Sequence, residues 1–466
     1  MKIRRRDVIK AATGSAVVAA TTRITGRSAW ASAPTRIVRD VCILGGGSAG
    51  TYTAVQLRNL GKSVVVLEKK DRLGGHAETV VVDGFPINIG VQVFESSNPL
   101  VTSYFSQLGV PLLQIPLGGG PAAANVDFRT GASVSVPSPT PAALDTAIGT
   151  YLEVLETKYP YLDSGFNLPS PVPQDLLLPF GEFVTKYGLQ ALVADAFAFS
   201  QGVGDMLADP ALYVLKNFSL SVVGAIATDS FAIVPTGTAS LYDAAAAFLG
   251  ADAVLNAQIL AAVRTPGGVE VLVDTPNGPV IVQAGKLVVA FPPTLSNLAP
   301  LALDASELAL FGQFGANYYA TSLVQVAGLP PGVALTGADP NTPYNLPRFP
   351  GLYGLQVTEV PGYYVALYGN TSWLPDDFVQ ADIATSIERL ASSAFPGAKF
   401  GGFTAFSSHA PFEMMVSPGD IAAGFYTQLN ALQGRNLTYY TGAAFQTNDS
   451  SLIWTFTQGL LPEIAA

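Results

Sequence analysis

Three glycines, Gly45, Gly47 and Gly50, follow the apolar run Val41-Cys42-Ile43-Leu44, and Glu68 closes the next apolar run, Val64-Val65-Val66-Leu67. In a strand, tight turn, helix, strand unit each of these residues has a task. Gly45 makes the turn, Gly47 lets the backbone approach a pyrophosphate, and Gly50 allows close packing of helix on strand. The helix start, at Ser48 and Ala49, offers unpaired N–H groups and the positive end of a dipole to the phosphates. Glu68, with Lys69 beside it, stands where a carboxylate accepts from ribose hydroxyls, and its charge argues against a 2′-phosphate. The spacing predicts a dinucleotide site, and FAD and NAD both use this unit.

The sequence holds two histidines, His76 and His409. His76 lies in Arg72-Leu73-Gly74-Gly75-His76, where a ring can bond near cofactor phosphates or act in catalysis. His409, in Ser407-Ser408-His409-Ala410-Pro411, is the candidate for proton transfer near neutral pH, with a loop histidine as the other reading. Two distant histidines and one cysteine, Cys42, make no usual zinc centre, so no metal is expected. Cys42 reads as a small core hydrophobe.

Arg72-Leu73-Gly74-Gly75-His76 and Ile87-Asn88-Ile89-Gly90-Val91-Gln92-Val93-Phe94 resemble two motifs of the flavin amine oxidase superfamily. So do residues 237–248, the strand around Ile259, Leu287-Val288-Val289-Ala290-Phe291-Pro292-Pro293 and Tyr440-Thr441-Gly442. The resemblance implies FAD, with Gly74, Gly75, His76, Gly90, Val91, Gln92, Ile259 and Gly442 against it. His76 stands where that superfamily usually has arginine, and Ala443 where it has an acidic residue. Within it, 73–79, 175–183 and 211–218 look like fungal cyclopiazonate oxidocyclase-type proteins, and the same blocks resemble bacterial polyunsaturated fatty acid isomerases. The expected strand 318–326 lacks the lysine that amine oxidases carry near the flavin, which argues against simple amine oxidation. Ala122-Ala123-Ala124-Asn125 lacks the isomerases' carboxylate-binding arginine, which implies an apolar or aromatic substrate without an obligatory carboxylate.

The expected function is therefore FAD-dependent removal of hydride from a hydrophobic small molecule, by dehydrogenation or oxidative cyclisation, with oxygen as a candidate acceptor. A redox-neutral double-bond isomerase and a non-catalytic flavin-binding protein are the alternatives. Phe199, Tyr213, Tyr318 and Tyr319 are candidates for the wall of a substrate tunnel, and their spacing fits a plain core equally.

These residues need a scaffold, and the composition supplies one. The 466 residues are 49% hydrophobic and 12% charged, which suits a large buried core and more than one domain. The expected architecture is α/β: a Rossmann-type FAD-binding domain of segments 36–100, 235–300 and 400–466. A substrate domain of mixed sheet and helices, 101–234 and 301–399, is inserted between them. Helices are expected over 49–60, 141–159, 179–200, 205–217, 238–249, 377–394 and 450–460. Strands are expected near 253–263, 269–274, 279–283, 286–291, 316–327, 351–358 and 361–369.

Residues 1–33 read as a signal segment. Arg5-Arg6-Asp7-Val8-Ile9-Lys10 resembles the twin-arginine signal, which exports proteins already folded around a cofactor to the periplasm or beyond. The segment carries seven Lys or Arg residues and one Asp, so its removal takes the formal charge from −10 to −16. So acidic a chain is not expected to bind nucleic acid or anionic lipid. No apolar run is long enough to predict a membrane span.

Overall fold

The computed structural model describes residues 34–116, 122–200 and 202–466; segment 1–33, expected to be a signal, lies outside them. The chain enters at β1 (Thr35–Leu44), turns through the glycines into α1 (Ser48–Asn59) and returns as β2 (Val64–Leu67). β1 and β2 pair in parallel, Val41 with Val64 through Leu44 with Leu67. Every residue of β2, and the last four of β1, are buried. Such unbroken apolar runs belong to parallel strands covered on both faces.

β3 (Gly278–Val289) lies on the other side of β1, parallel to it. It corrects an expectation: 279–283 and 286–291 are not two strands. Pairing with β1 runs through Ala284↔Arg39 and Lys286↔Val41, so Gly285 continues the strand instead of breaking it. The length of β3 gives it two further partners. Its first half pairs antiparallel with Gly268–Thr275, which pairs in turn with Gln258–Thr265.

Downstream, β4 (Tyr318–Ala327) and β5 (Lys399–Ser408) are neighbours in a second, seven-stranded sheet. β5 pairs antiparallel with β4 from Ala320↔Ser408 to Ala327↔Lys399. The domain boundary expected at 400 therefore falls inside a strand of the other sheet. The last segment to join the first sheet is β6 (Thr438–Tyr440), whose residues pair in parallel with Leu287, Val288 and Val289 of β3. The first sheet thus gathers segments that the second sheet separates in sequence.

The chain ends in α2 (Ser450–Ala465), begun by Asp449, whose side chain accepts from Leu452 N–H. α2 packs on α1 through Trp454. The indole stacks on Tyr52 at 5.7 Å and donates through Nε1 to Ser48 Oγ at 2.9 Å. The C-terminal helix is thereby tied to the start of the glycine-turn helix.

Alternation along β4 divides the second sheet into two faces. Tyr318, Ala320 and Val324 pack with Val379, Ile383 and Ile387 of the helix Asp376–Arg389. Tyr319 and Leu323 face the other way, toward Ile87, Ile89 and Tyr353. Two expected helices are also corrected. The helix expected at 179–200 breaks after Tyr187, where Gly188 adopts φ of 70°. The helix expected at 205–217 forms only as Ala211–Asn217, starting after Pro210, because proline removes the N–H that an earlier turn would need.

Candidate active site

The glycine turn forms one end of a cleft of about 570 Å³ between the two sheets. Gly45 adopts φ of +97°, and its N–H donates to Leu67 O at 2.9 Å. Only glycine holds that conformation without strain. A Cβ on Gly50 would stand 1.9 Å from Gly45 O, so the helix can begin this close to the strand only without a side chain there. Ser48 and Ala49 bring the first turn of α1 to the cleft, with the N–H groups that a helix start leaves unpaired.

The second glycine pair lies directly against the first. Gly74 N–H donates to Gly46 O at 2.8 Å, and a Cβ on Gly75 would come within 3.0 Å of Gly47 Cα. Together they make a floor of bare backbone. Glu68 stands at its edge, 6% exposed, with one oxygen accepting from Gly46 N–H at 2.6 Å and the other from Lys70 N–H at 2.7 Å. Each oxygen keeps a lone pair for a hydroxyl donor.

Gly45, Gly47, Ser48, Ala49, Glu68, Lys69, Gly74, Gly75, His76, Val91, Ile259 and Gly442 all line the cleft. Gly50, Gly90 and Gln92 do not. Gly90 lies under the backbone of His76, where a Cβ would sit 1.8 Å from its carbonyl oxygen. Gln92 donates to Gln356 Oε1 across the second sheet.

The histidines meet, although 333 positions of sequence numbering separate them. His76 faces the cleft; His409 is buried behind it. Nε2 of His409 lies 3.0 Å from Thr321 Oγ1 and 3.3 Å from Ile89 O. Thr321 itself donates to Ile89 O, so both neighbours accept and Nε2 carries the proton. Burial lowers the pKa of His409 to about 4. Burial, then the neighbouring His409 and Lys70, also hold His76 well below its usual value. Both rings are neutral at pH 7. The loop-histidine reading of His409 is corrected: the ring is buried, does not line the cleft, and packs against His76 from behind.

Of the tunnel candidates none lines the cleft. Tyr213 is buried, and its Oη accepts hydrogen bonds from Val416 N–H and Tyr426 Oη, each at 2.8 Å. Phe199 packs on Phe218 and Phe231, and Tyr318 reaches Asp376 on the far face of the second sheet. Tyr319 stacks on His409 at 5.5 Å, one layer back. The apolar wall is formed instead by Phe291, Pro292, Pro411, Phe412 and Met414. The sequence reading also passed over Asn448, which lines the cleft. Its signal was present in Gln446-Thr447-Asn448-Asp449, a polar run at the start of an apolar helix.

Residues 48–319 match the family described as flavin containing amine oxidoreductase. The chain belongs to this family. A FAD-dependent oxidoreductase of Cochliobolus heterostrophus, oblC, is 36% identical over 97% of this chain and 96% of its own. The β-cyclopiazonate dehydrogenase of Aspergillus oryzae is 34% identical over 92% and 94%. Among solved structures, the CLA-producing fatty acid isomerase from P. acnes has a TM-score of 0.74 at 20% identity, covering 91% of this chain and 98% of that one. Wild-type putrescine oxidase has a TM-score of 0.65 at 18% identity, covering 92% and 100%. These two share the fold. As a member of the family, the chain is a flavin-dependent oxidoreductase.

The cleft suits the group that the family implies. Its floor is free of side chains where a pyrophosphate would lie, the α1 start points at it, and Glu68 is set for a diol.

Proposed function

We propose that this chain holds FAD in the cleft and removes hydride from a hydrophobic small molecule, by dehydrogenation or oxidative cyclisation. The observation that carries this reading is that the glycine floor and the apolar wall face one continuous cleft. When bound, the flavin ring accepts the hydride. The chain's own residues bind, orient and dry the site. Gly47, Gly75 and the α1 start would hold the pyrophosphate, and Glu68 the adenosine ribose. Phe291, Phe412 and Met414 seat an apolar substrate and exclude water. His76, half-buried and held neutral because desolvation by the surrounding protein lowers its pKa, can accept a proton at a ring nitrogen. β4 carries no lysine, so no amine from that strand takes part.

The relatives support this reading: several carry the name FAD-dependent oxidoreductase, and one is named for dehydrogenating cyclopiazonate. Anaerobic mixing of the purified protein with a panel of apolar alcohols, amines and β-cyclopiazonate tests it. Bleaching of the flavin, followed by its return in air, is the expected result and identifies oxygen as an acceptor. Product formed with no acceptor consumed would instead indicate the isomerase reading. A flavin that no member of the panel bleaches would leave a binding protein.

We further propose export through the twin-arginine route, on the strength of Arg5-Arg6 and the basic, then apolar, start. A reporter carrying residues 1–33 should leave the cytosol, and the paired change R5K with R6K should retain it.

A further inference from the structure

Behind the cleft wall lies a buried polar seam that the chemistry above does not use. Asn448 lines the cleft and donates through Nδ2 to Glu413 Oε2 at 2.5 Å. Glu413 is 3% exposed, and the Asn217 side chain lies close enough to stabilise its charged form. Asn217 also accepts from Thr447 Oγ1 at 2.9 Å. Next to Asn217 on the same helix, Lys216 is 1% exposed and donates to Leu162 O and to Gln446 Oε1. The loop 446–449 thus runs along a seam of fixed amides and two buried ionisable groups.

The seam decides which end of the Asn448 amide meets the cleft. A carboxylate only accepts, so it binds the amide NH₂ and turns Oδ1 the other way. Among the described residues no donor reaches that oxygen. We propose that Glu413 is a positioning residue that holds Asn448 with its carbonyl oxygen toward the cleft, where it accepts from an N–H or O–H of the bound ligand. The inference rests on the reading of the cleft as a shared flavin and substrate site. The donor belongs either to the substrate, beside the C–H that is oxidised, or to the flavin itself.

The charge state of Glu413 makes this orientation depend on pH. Burial pushes Glu413 up to about 7, and burial lowers Lys216 to about 7. The groups around Glu413 are Lys216 and Tyr213 of the helix Ala211–Asn217, Asp209 just before it, and Tyr426. Above about 7 the carboxylate fixes the amide in one orientation. Below it the protonated carboxyl can donate as well as accept, and the preference fades.

The test uses holoenzyme and apoprotein with Asn448→Leu, Asn448→Ala and Glu413→Gln. One arm measures FAD affinity by reconstitution. The other measures 2-naphthol against 2-methoxynaphthalene, a pair differing in one O–H donor, through perturbation of the flavin absorption. If the flavin supplies the donor, both Asn448 variants lose about tenfold in FAD affinity. If the substrate does, they keep FAD affinity and lose the wild-type preference for 2-naphthol. In either case Glu413→Gln removes the change that wild type shows between about pH 6 and pH 8. Asn448 variants that match wild type in both arms overturn the proposal, as does a Glu413→Gln protein with an unchanged pH profile. Wild-type protein that binds no FAD would defeat the parent reading before any variant is compared.

Discussion

His409 stands edge-on against His76, the ring centroids 4.6 Å apart and the planes at 69°. One ring faces the cleft and the other is sealed behind it, so the pair forms a wall two layers thick.

The inner ring makes the fold acid-sensitive. A free histidine has a pKa near 6.5, whereas burial lowers that of His409 to about 4. Between those values the unfolded chain binds more protons than the folded one, so stability is intact above 6.5 and falls as pH drops toward 4. The loss amounts to at most about 3 kcal/mol. His409→Gln should flatten this limb in denaturant titrations, and it should leave FAD bound at pH 7. An unchanged acid limb would remove His409 as its cause.

Gly90 supports the same wall from beneath. A Cβ there would meet His76 O at 1.8 Å, and backbone cannot move aside as a flexible side chain can. Gly90→Ala should cost about 3 kcal/mol or more and weaken FAD retention, read by thermal melting and by flavin content after gel filtration. Gly61→Ser is the control for a glycine whose added Cβ meets nothing; it pays only the strain of φ +78°.

Glu68 joins the two glycine segments and also offers lone pairs to the cleft. Glu68→Gln keeps the shape but loses the charge that accepts from Gly46 and Lys70 N–H. Charge-assisted bonds of this type contribute about 1.5–3 kcal/mol. Equilibrium titration of apoprotein should show FAD affinity reduced by about ten- to a hundredfold. An unaltered affinity would mean that Glu68 does not meet the cofactor.

Arg264 and Glu307 form an ion pair at 2.6 Å, with side chains 3% and 0% exposed. Tyr440 Oη of β6 donates to the same Glu307, so the pair anchors β6 to the outer strand Gln258–Thr265. Removing one partner leaves a buried charge alone. Arg264→Leu should therefore cost about 3–5 kcal/mol, whereas the double change Arg264→Leu with Glu307→Leu should recover part of it, as chemical denaturation would show.

The parts of the site that were legible in the sequence are those written in short spacing. Gly45, Gly47 and Gly50 sit between two apolar runs, and Glu68 ends the second; local periodicity and turn chemistry suffice to read them. The parts that were not legible depend on long-range packing. Tyr318 and Tyr319 looked alike as aromatic neighbours, but strand alternation sends them to opposite faces of the second sheet. Gly285 looked like a break, yet pairing with β1 carries the strand through it. His409 reaches His76 only because β5 closes against β4, and Asn448 reaches Glu413 only because loop 446–449 folds over the helix Ala211–Asn217. Residue type announced these groups as polar; only the fold could say which of them touch.

The central claim is that one FAD rests against the backbone of the two glycine segments. The most direct measurement is the absorption spectrum and flavin content of protein purified from a flavin-replete host, compared with Gly47→Val. Wild-type protein should be yellow and hold about one FAD per chain, and the Gly47→Val variant should be folded but colourless, because a side chain there would occupy the phosphate floor. Wild-type protein that is colourless and stays so after incubation with FAD, or a Gly47→Val variant as yellow as wild type, would contradict it.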